Sequence, residues 1–86
     1  MEREIIFQKD ALKEYDDWKK KDQKIADRIK QLIQAILEQP FEGIGKPEPL
    51  KHQLAGCWSR RITKEHRLVY KVTDTSIIIV ACKYHY

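Results

Sequence analysis

The residues best suited to chemistry are a glutamate in a proline-rich loop and a histidine next to the last position. Glu48 lies between Pro47 and Pro49, whose rings fix the backbone angles around it. His85 and Tyr86 end the chain. A carboxylate can act as a general base, and an imidazole with an ordinary pKa of about 6.5 can act as a general acid near neutrality. The two could therefore carry the two proton transfers of one reaction.

Cationic residues occur in the segments around these two groups. Lys51 follows the proline-rich loop, Arg61 and Arg67 lie in two alternating segments, and Lys83 precedes the terminal aromatic residues. Metal-independent cleavage of RNA requires a base for the 2′-OH, cations for the negative phosphorane and an acid for the departing 5′-oxygen. The loop glutamate, these cations and the penultimate histidine match the three roles, and a terminal tyrosine suits stacking on an unpaired base. We expect no cofactor and no metal.

The segments that must position these residues begin with a strand and two helices. Residues 4–8 are rich in β-branched and aromatic side chains and predict a buried strand. Asp10 is a candidate N-cap for a short amphipathic helix, and Asp22 is one for a longer second helix. Pro40 cannot continue that helix, which we expect to end near Glu38. The apolar positions of the first helix recur at three-residue spacing: Leu12, Tyr15 and Trp18.

Polar and apolar residues alternate after the loop and predict strands. Two sets of residues should face the helices: Trp58, Arg60 and Ile62 in one strand, and Leu68, Tyr70 and Val72 in the next. A final strand runs over residues 76–83. This order of elements predicts an α+β fold in which an antiparallel β-sheet carries the two N-terminal helices on one face. We call the other face of the sheet the open face.

The cations meet on the open face only if the turns have suitable lengths. Arg61 joins Arg67 there if the turn between their strands holds an odd number of residues, for example three, which would place Arg61 opposite Val69. A similar odd turn before the last strand would bring Lys83 and His85 to the same face. The interpretation assumes this register.

The composition is that of a small globular chain with excess positive charge. The 86 residues, 42% hydrophobic and 35% charged, suit one domain spanning residues 1–86. The net charge of +4 favours phosphates or acidic proteins as partners. Apolar runs are too short to cross a membrane and no secretion signal is apparent, so we expect a cytoplasmic protein. Cys57 and Cys82 are far apart and are expected to be small buried hydrophobic residues.

Four spaced motifs cover much of the chain: residues 41–43 with 45–52, residues 58–62, residues 65–70 and residues 84–86. Together they resemble the YoeB (Txe) branch of the RelE/ParE superfamily of bacterial toxins. The resemblance implies a RelE-like microbial ribonuclease fold and a ribosome-dependent endoribonuclease that cleaves mRNA in the ribosomal A site. It also implies contacts with rRNA of the 70S ribosome, neutralisation by a cognate YefM-like antitoxin, and a homodimer.

The resemblance also assigns roles to individual positions. It makes Glu48 the general base, His85 the general acid, Arg67 the phosphate-stabilising residue, Tyr86 an aromatic residue of the site, and Lys51 and Arg61 RNA-binding residues, to which we add Lys83. Other interpretations stay open at this point. The basic face could be an ordinary solvated surface, a non-catalytic RNA- or ribosome-binding surface that blocks translation by occupancy, or a docking surface for an acidic antitoxin segment.

Overall fold

The structure, a computed structural model, describes residues 3–83 and comprises two helices and a five-stranded sheet. The elements are β1 (Glu4–Phe7), α1 (Lys9–Lys21), α2 (Gln23–Glu38), β2 (Glu48–Pro49), β3 (Cys57–Arg61), β4 (Arg67–Val72) and β5 (Ser76–Ala81), with a 3₁₀ helix at His52–Leu54. The strand order is β1-β5-β4-β3-β2. Neighbouring strands are antiparallel except β1, which pairs with β5 in parallel. The α+β class is confirmed, and β1 makes the sheet mixed.

Strand β1 lies at the edge of the sheet, which changes its expected burial. Ile5 and Phe7 pack against the core, whereas Ile6 is 43% exposed on the other face. An edge strand has only one neighbouring strand, and in the described chain no helix covers the face to which Ile6 points. The apolar composition of this segment predicted the strand correctly but not its partial exposure.

Helix α1 packs on the sheet with a face rotated from the predicted one. Asp10 lies in its first turn rather than at its N-cap. Ala11 and Trp18 are its buried residues, Tyr15 packs at the edge of the core, and Leu12 is 46% exposed. The core-facing stripe therefore follows the i, i+4, i+7 spacing of an amphipathic helix, starting one residue before Leu12.

Helix α2 agrees with its predicted boundaries. The carboxylate of Asp22 accepts hydrogen bonds from the backbone N–H groups of Lys24 and Ile25, at 3.1 and 3.4 Å. The helix ends at Glu38, two residues before Pro40. Its buried residues pack against β4 and β5 in one cluster: Ala26, Ile29, Leu32, Ile36, Leu68, Tyr70, Ile77 and Ile79. Trp58 packs on this cluster as expected. Neither helix is long and apolar enough to span a bilayer among the described residues.

A wholly buried arginine fixes the loop that leads from α2 to β2. Arg60 points to the helix side of the sheet, as the alternation of β3 predicted, and is 0% exposed. Its guanidinium donates to three loop carbonyl oxygens, those of Gln39 (2.6 Å), Glu42 (2.7 Å) and Ile44 (3.2 Å). Its Nε donates to the Tyr70 hydroxyl at 3.2 Å, and that hydroxyl donates to the Pro40 carbonyl at 2.7 Å. Carbonyl dipoles thus take the place of a carboxylate around this cation.

The same loop approaches the sheet closely at Gly45. The Arg61 backbone N–H donates to the Gly45 carbonyl at 2.6 Å, and Gly45 has a φ of +82°. A Cβ at this position would lie 2.8 Å from Cδ2 of Leu32 and 3.1 Å from Cβ of Arg60. Only glycine combines this backbone conformation with this proximity. The loop is therefore fixed to β3 three residues before Glu48.

Candidate active site on the open face

The β3–β4 hairpin brings two arginines to the open face. Arg61 lies opposite Arg67 in the register, and the intervening residues 62–66 are odd in number. The shared face is as predicted, but the partner is not. Ser59, rather than Arg61, lies opposite Val69, because the turn is two residues longer than the three assumed. The two guanidinium groups therefore project from directly opposed positions, closer together than expected.

The turn between β4 and β5 holds an even number of residues, whereas an odd number was assumed above. Val72 pairs with Ile77, so the intervening residues 73–76 are even in number. Continued regularly, that register would direct Lys83 to the helix side. The assumption of an odd turn is therefore wrong for this hairpin.

A β-bulge in β5 compensates for the even turn. The register shifts between Val69 and Tyr70, and Val80 is the extra residue. Ala81 then lies opposite Val69 and returns to the open side. Strand β5 ends at Ala81, so its alternation does not extend to Lys83. The extra residue thus returns Ala81 to the face on which an odd turn would have placed it.

The glutamate of the proline-rich loop occupies the edge of this face. Glu48 pairs with Ser59, Ser59 with Val69, and Val69 with Ala81, which makes one row across four strands. We call these four residues the floor row. The members beyond the glutamate are short and at most 7% exposed. Arg61 occupies the next open-face position on β3 beyond Ser59, and the glutamate is its diagonal neighbour, with about 7–8 Å between such positions.

Arg67 is oriented by the hairpin that precedes it. Its Nη1 donates to the carbonyl oxygens of Thr63 (2.9 Å), Lys64 (3.1 Å) and His66 (3.2 Å). Its Nη2 and Nε donate to no other residue among residues 3–83. The turn therefore holds one edge of the guanidinium and leaves the other edge available to an anionic ligand.

The carboxylate of Glu48 is exposed and forms no ion pair within the described chain, where the sole ion pair joins Lys19 and Asp16. Lys51 is exposed just before the 3₁₀ helix. The ammonium of Lys83 lies 5.8 Å from the centroid of the Trp18 ring, beside α1 rather than beside Glu48. The candidate acid His85 and its neighbour Tyr86 lie outside the described residues. In residues 3–83 no group of three or more His, Cys, Asp and Glu side chains is arranged to hold a metal ion.

The structure also defines the surroundings of His66 and of the two cysteines. His66, in the turn between β3 and β4, is half-buried with its ring 4.8 Å from that of Trp18 in an edge arrangement. Cys82 is fully buried as predicted, whereas Cys57 is only half-buried. Burial, followed by the nearby Glu14 carboxylate, raises the pKa of the Cys82 thiol to about 12. The thiol is therefore protonated at neutral pH and serves as a packing group.

Comparison with known proteins adds to this geometry. The family model for the YoeB-like toxin of bacterial type II toxin-antitoxin systems matches residues 7–86. The chain belongs to this YoeB family. It is 54% identical over 82 residues to toxin YoeB of Escherichia coli K12, covering 95% of this chain and 98% of that protein. The YoeB dimer of Staphylococcus aureus superposes with a TM-score of 0.93 at 45% identity, and a YoeB-YefM complex from the same organism superposes with 0.90 at 44%, each covering 100% of both chains.

Membership of the YoeB family confirms the resemblance drawn from the four motifs, and with it the RelE-like fold. The open face of this YoeB-family chain gathers Glu48, Arg61 and Arg67, with Lys51 beside the loop. Sequence reasoning missed the role of Arg60, although a charged residue alternating with Trp58 on an apolar face was a visible signal. It also missed the contacts between α1 and the segment after β5.

Proposed function

We propose that this YoeB-family toxin is a ribosome-dependent endoribonuclease that cleaves mRNA in the ribosomal A site and so inhibits translation. The observation that carries the proposal is the strand register. It sets an exposed carboxylate, Glu48, at the end of the floor row, beside the opposed pair Arg61 and Arg67 on the same face. An RNA backbone lying over the floor row would meet a proton acceptor and two guanidinium groups together.

The reaction would proceed by attack of the ribose 2′-OH on the adjoining phosphate. Glu48 accepts the 2′-OH proton while the 2′-oxygen forms its bond to phosphorus. Arg67, with Arg61 beside it, stabilises the negative charge that develops on the phosphorane. His85 donates a proton to the 5′-oxygen as its bond to phosphorus breaks. The products are a 2′,3′-cyclic phosphate and a 5′-OH, and neither a metal ion nor a cofactor enters a step.

Substrate binding would use the remaining basic and aromatic residues. Lys51, Arg61 and Lys83 contact the RNA backbone, and Tyr86 stacks on an unpaired base. A chain of 86 residues with a net charge of +4 has little surface with which to order flexible RNA. The decoding centre of the 70S ribosome, including its rRNA, would hold the reacting atoms in line, and alignment of this kind accounts for much of a catalysed rate.

Residues 1–86 would form one toxin domain with two protein partners. The YoeB-YefM complexes from Staphylococcus aureus support a YefM-like antitoxin as the cognate inhibitor, and the YoeB dimer from that organism supports a homodimer. The basic open face suits an acidic antitoxin segment. Action on translating ribosomes places the toxin in the cytoplasm.

The test is single-turnover cleavage on mRNA-programmed ribosomes, with mapping of the new 5′ ends. We expect Glu48→Gln, Arg67→Leu and His85→Ala each to lower the rate constant by about 10²–10⁴. Glu38→Gln, which removes an exposed carboxylate at the end of α2, is the matched control and should cleave at the wild-type rate. A variant with full activity would remove its residue from the mechanism.

The same assay separates cleavage from occupancy. A non-catalytic ribosome-binding module would arrest translation without producing new 5′ ends, and Glu48→Gln would arrest as well as the wild type does. That combination of results would refute the nuclease proposal.

A further inference from the structure

Side chains of α1 hold both backbone groups of Cys82. The Cys82 N–H donates to Oε1 of Glu14 at 2.8 Å, and Nε1 of Trp18 donates to the Cys82 carbonyl oxygen at 2.8 Å. The Cys82 side chain is fully buried, with its sulfur 3.5 Å from the Ala11 carbonyl oxygen. We call Glu14 and Trp18 the α1 clamp.

Hydrogen bonds from the α1 clamp replace strand pairing directly after the end of β5. The last residue pair between β4 and β5 joins Val69 and Ala81, so the next residue has no partner strand. Buried backbone N–H and C=O groups need hydrogen-bond partners, and here a carboxylate and an indole N–H supply them. The helix, rather than the neighbouring strand, therefore fixes the position of Cys82.

The indole of Trp18 also contacts two other residues, His66 in the turn between β3 and β4 and Lys83 directly after Cys82. Its ring meets the ring of His66 edge-on at 4.8 Å, in the hairpin that orients Arg67. The ammonium of Lys83 lies 5.8 Å from its centroid. Trp18 is only 9% exposed, so packing restricts its movement. The Trp18 side chain thus contacts both the β3–β4 hairpin, which orients Arg67, and Lys83.

We propose that Glu14 and Trp18 are positioning residues for the general acid. This inference rests on the proposed function, in which His85 supplies the proton to the leaving group. His85 comes three residues after Cys82, and three residues span at most about 11 Å. Because the backbone of Cys82 is fixed, the region that the His85 side chain can reach is limited. A misplacement of about 1 Å in such a group can cost about 100-fold in rate.

Three substitutions isolate the two hydrogen bonds. Glu14→Met keeps the length of the side chain but removes the acceptor, whereas Glu14→Gln keeps a carbonyl acceptor. Trp18→Phe keeps an aromatic ring but removes the N–H donor. We expect Glu14→Met and Trp18→Phe to lower the single-turnover rate constant about 10- to 100-fold at saturating ribosomes, with the half-saturating concentration unchanged. Glu14→Gln should stay within about twofold of the wild type.

Leu12→Gln, on the exposed side of α1, is the control for changes to the helix itself and should cleave normally. All variants are compared at a temperature where circular dichroism shows each to be folded. Wild-type rates in both Glu14→Met and Trp18→Phe would overturn the inference. A Glu14→Gln rate as low as that of Glu14→Met would overturn it as well, because the acceptor would then not be the property that matters.

A double-mutant cycle distinguishes positioning from a general structural role. If Glu14 acts through His85, Glu14→Met should cost less than about threefold in a His85→Ala background. A structural weakening of the whole site would cost the same factor in both backgrounds, and that result would refute the inference.

A readout that does not depend on activity separates this inference from the proposed function. Failure of the wild type to cleave would refute the proposed function alone. In NMR spectra of the isolated chain, Glu14→Met should still shift the ring signals of His85 and accelerate hydrogen exchange of the Cys82 amide, whereas Glu14→Gln should do neither. Unchanged spectra in Glu14→Met would overturn the inference whether or not the protein is a nuclease.

Discussion

Adjacent arginines of β3 offer the sharpest test of the structure, because Arg60 is buried and Arg61 is exposed. Arg60→Met keeps a long side chain in the core but leaves three loop carbonyl oxygens without their charged donor. Removal of the buried cation also removes its desolvation cost, and for this reason replacing both members of a buried ion pair can leave stability unchanged. In Arg60→Met the carbonyl acceptors remain without a donor, so the lost hydrogen bonds should outweigh the desolvation cost that is removed.

The magnitude follows from the three carbonyl contacts. Each hydrogen bond from a charged donor contributes about 1.5–3 kcal/mol, but the acceptor residues are exposed and water can replace part of each, which leaves about 1 kcal/mol apiece. We expect the free energy of unfolding to fall by about 3 kcal/mol, or the melting temperature by about 12–24 °C for a chain of this size. Total stability of a small domain is about 5–15 kcal/mol, so this loss is large.

Urea unfolding followed by circular dichroism measures this loss, with Arg61→Met as the matched control. The control should stay within about 0.5 kcal/mol of the wild type in stability but cleave mRNA more slowly. Arg60→Met should also cleave slowly while folded, because the loop that carries Glu48 loses its support. An unfolding free energy for Arg60→Met equal to that of Arg61→Met would refute the reasoning.

Three further outcomes are expected. Gly45→Ala should lower the free energy of unfolding by about 2–4 kcal/mol in urea, because it adds positive-φ strain to a contact with Leu32; a loss under 1 kcal/mol would contradict this account. The pKa of the Cys82 thiol is raised in the folded chain to about 12, so its contribution to stability is complete below the unfolded pKa of about 8.5 and is lost as pH rises toward 12. Stability should therefore fall more steeply above pH 9 in the wild type than in Cys82→Ala, and parallel slopes would refute the assignment. Deletion of Val80 should remove the bulge but leave Ala81 opposite Val69, so the residues that follow keep their faces; single-turnover cleavage should persist, and its loss in a variant that still folds would contradict this account.

Periodicity predicted the face of each residue wherever one side of an element is polar. It placed Arg60 on the helix side and Arg61 on the open side, and Asp22 and Pro40 correctly marked the ends of α2. In α1 both Ala11 and Leu12 fit an apolar stripe, so spacing alone chose the wrong one. Tertiary packing against β5 decides between them.

Register could not be predicted to the same degree. Nearly all the residues of β5 are apolar, so alternation gives no sign of the extra residue at Val80. The lengths of the two turns depend on where each strand ends, which the sequence marks only loosely. Alternation therefore predicted the face of Arg61 and Arg67, whereas it predicted neither the pairing of Glu48 with Ser59 nor the position of Lys83 beside Trp18.

Adjacent arginines of β3 point to opposite faces of the sheet, because successive side chains of a strand alternate. The two arginines cannot by themselves define the alignment of the strand, since a shift of one residue could put one arginine in the place of the other. Trp58 and Ile62 define it, because the same shift would turn both of these apolar side chains out of the core. The burial of two apolar neighbours thus determines which arginine lies opposite Arg67.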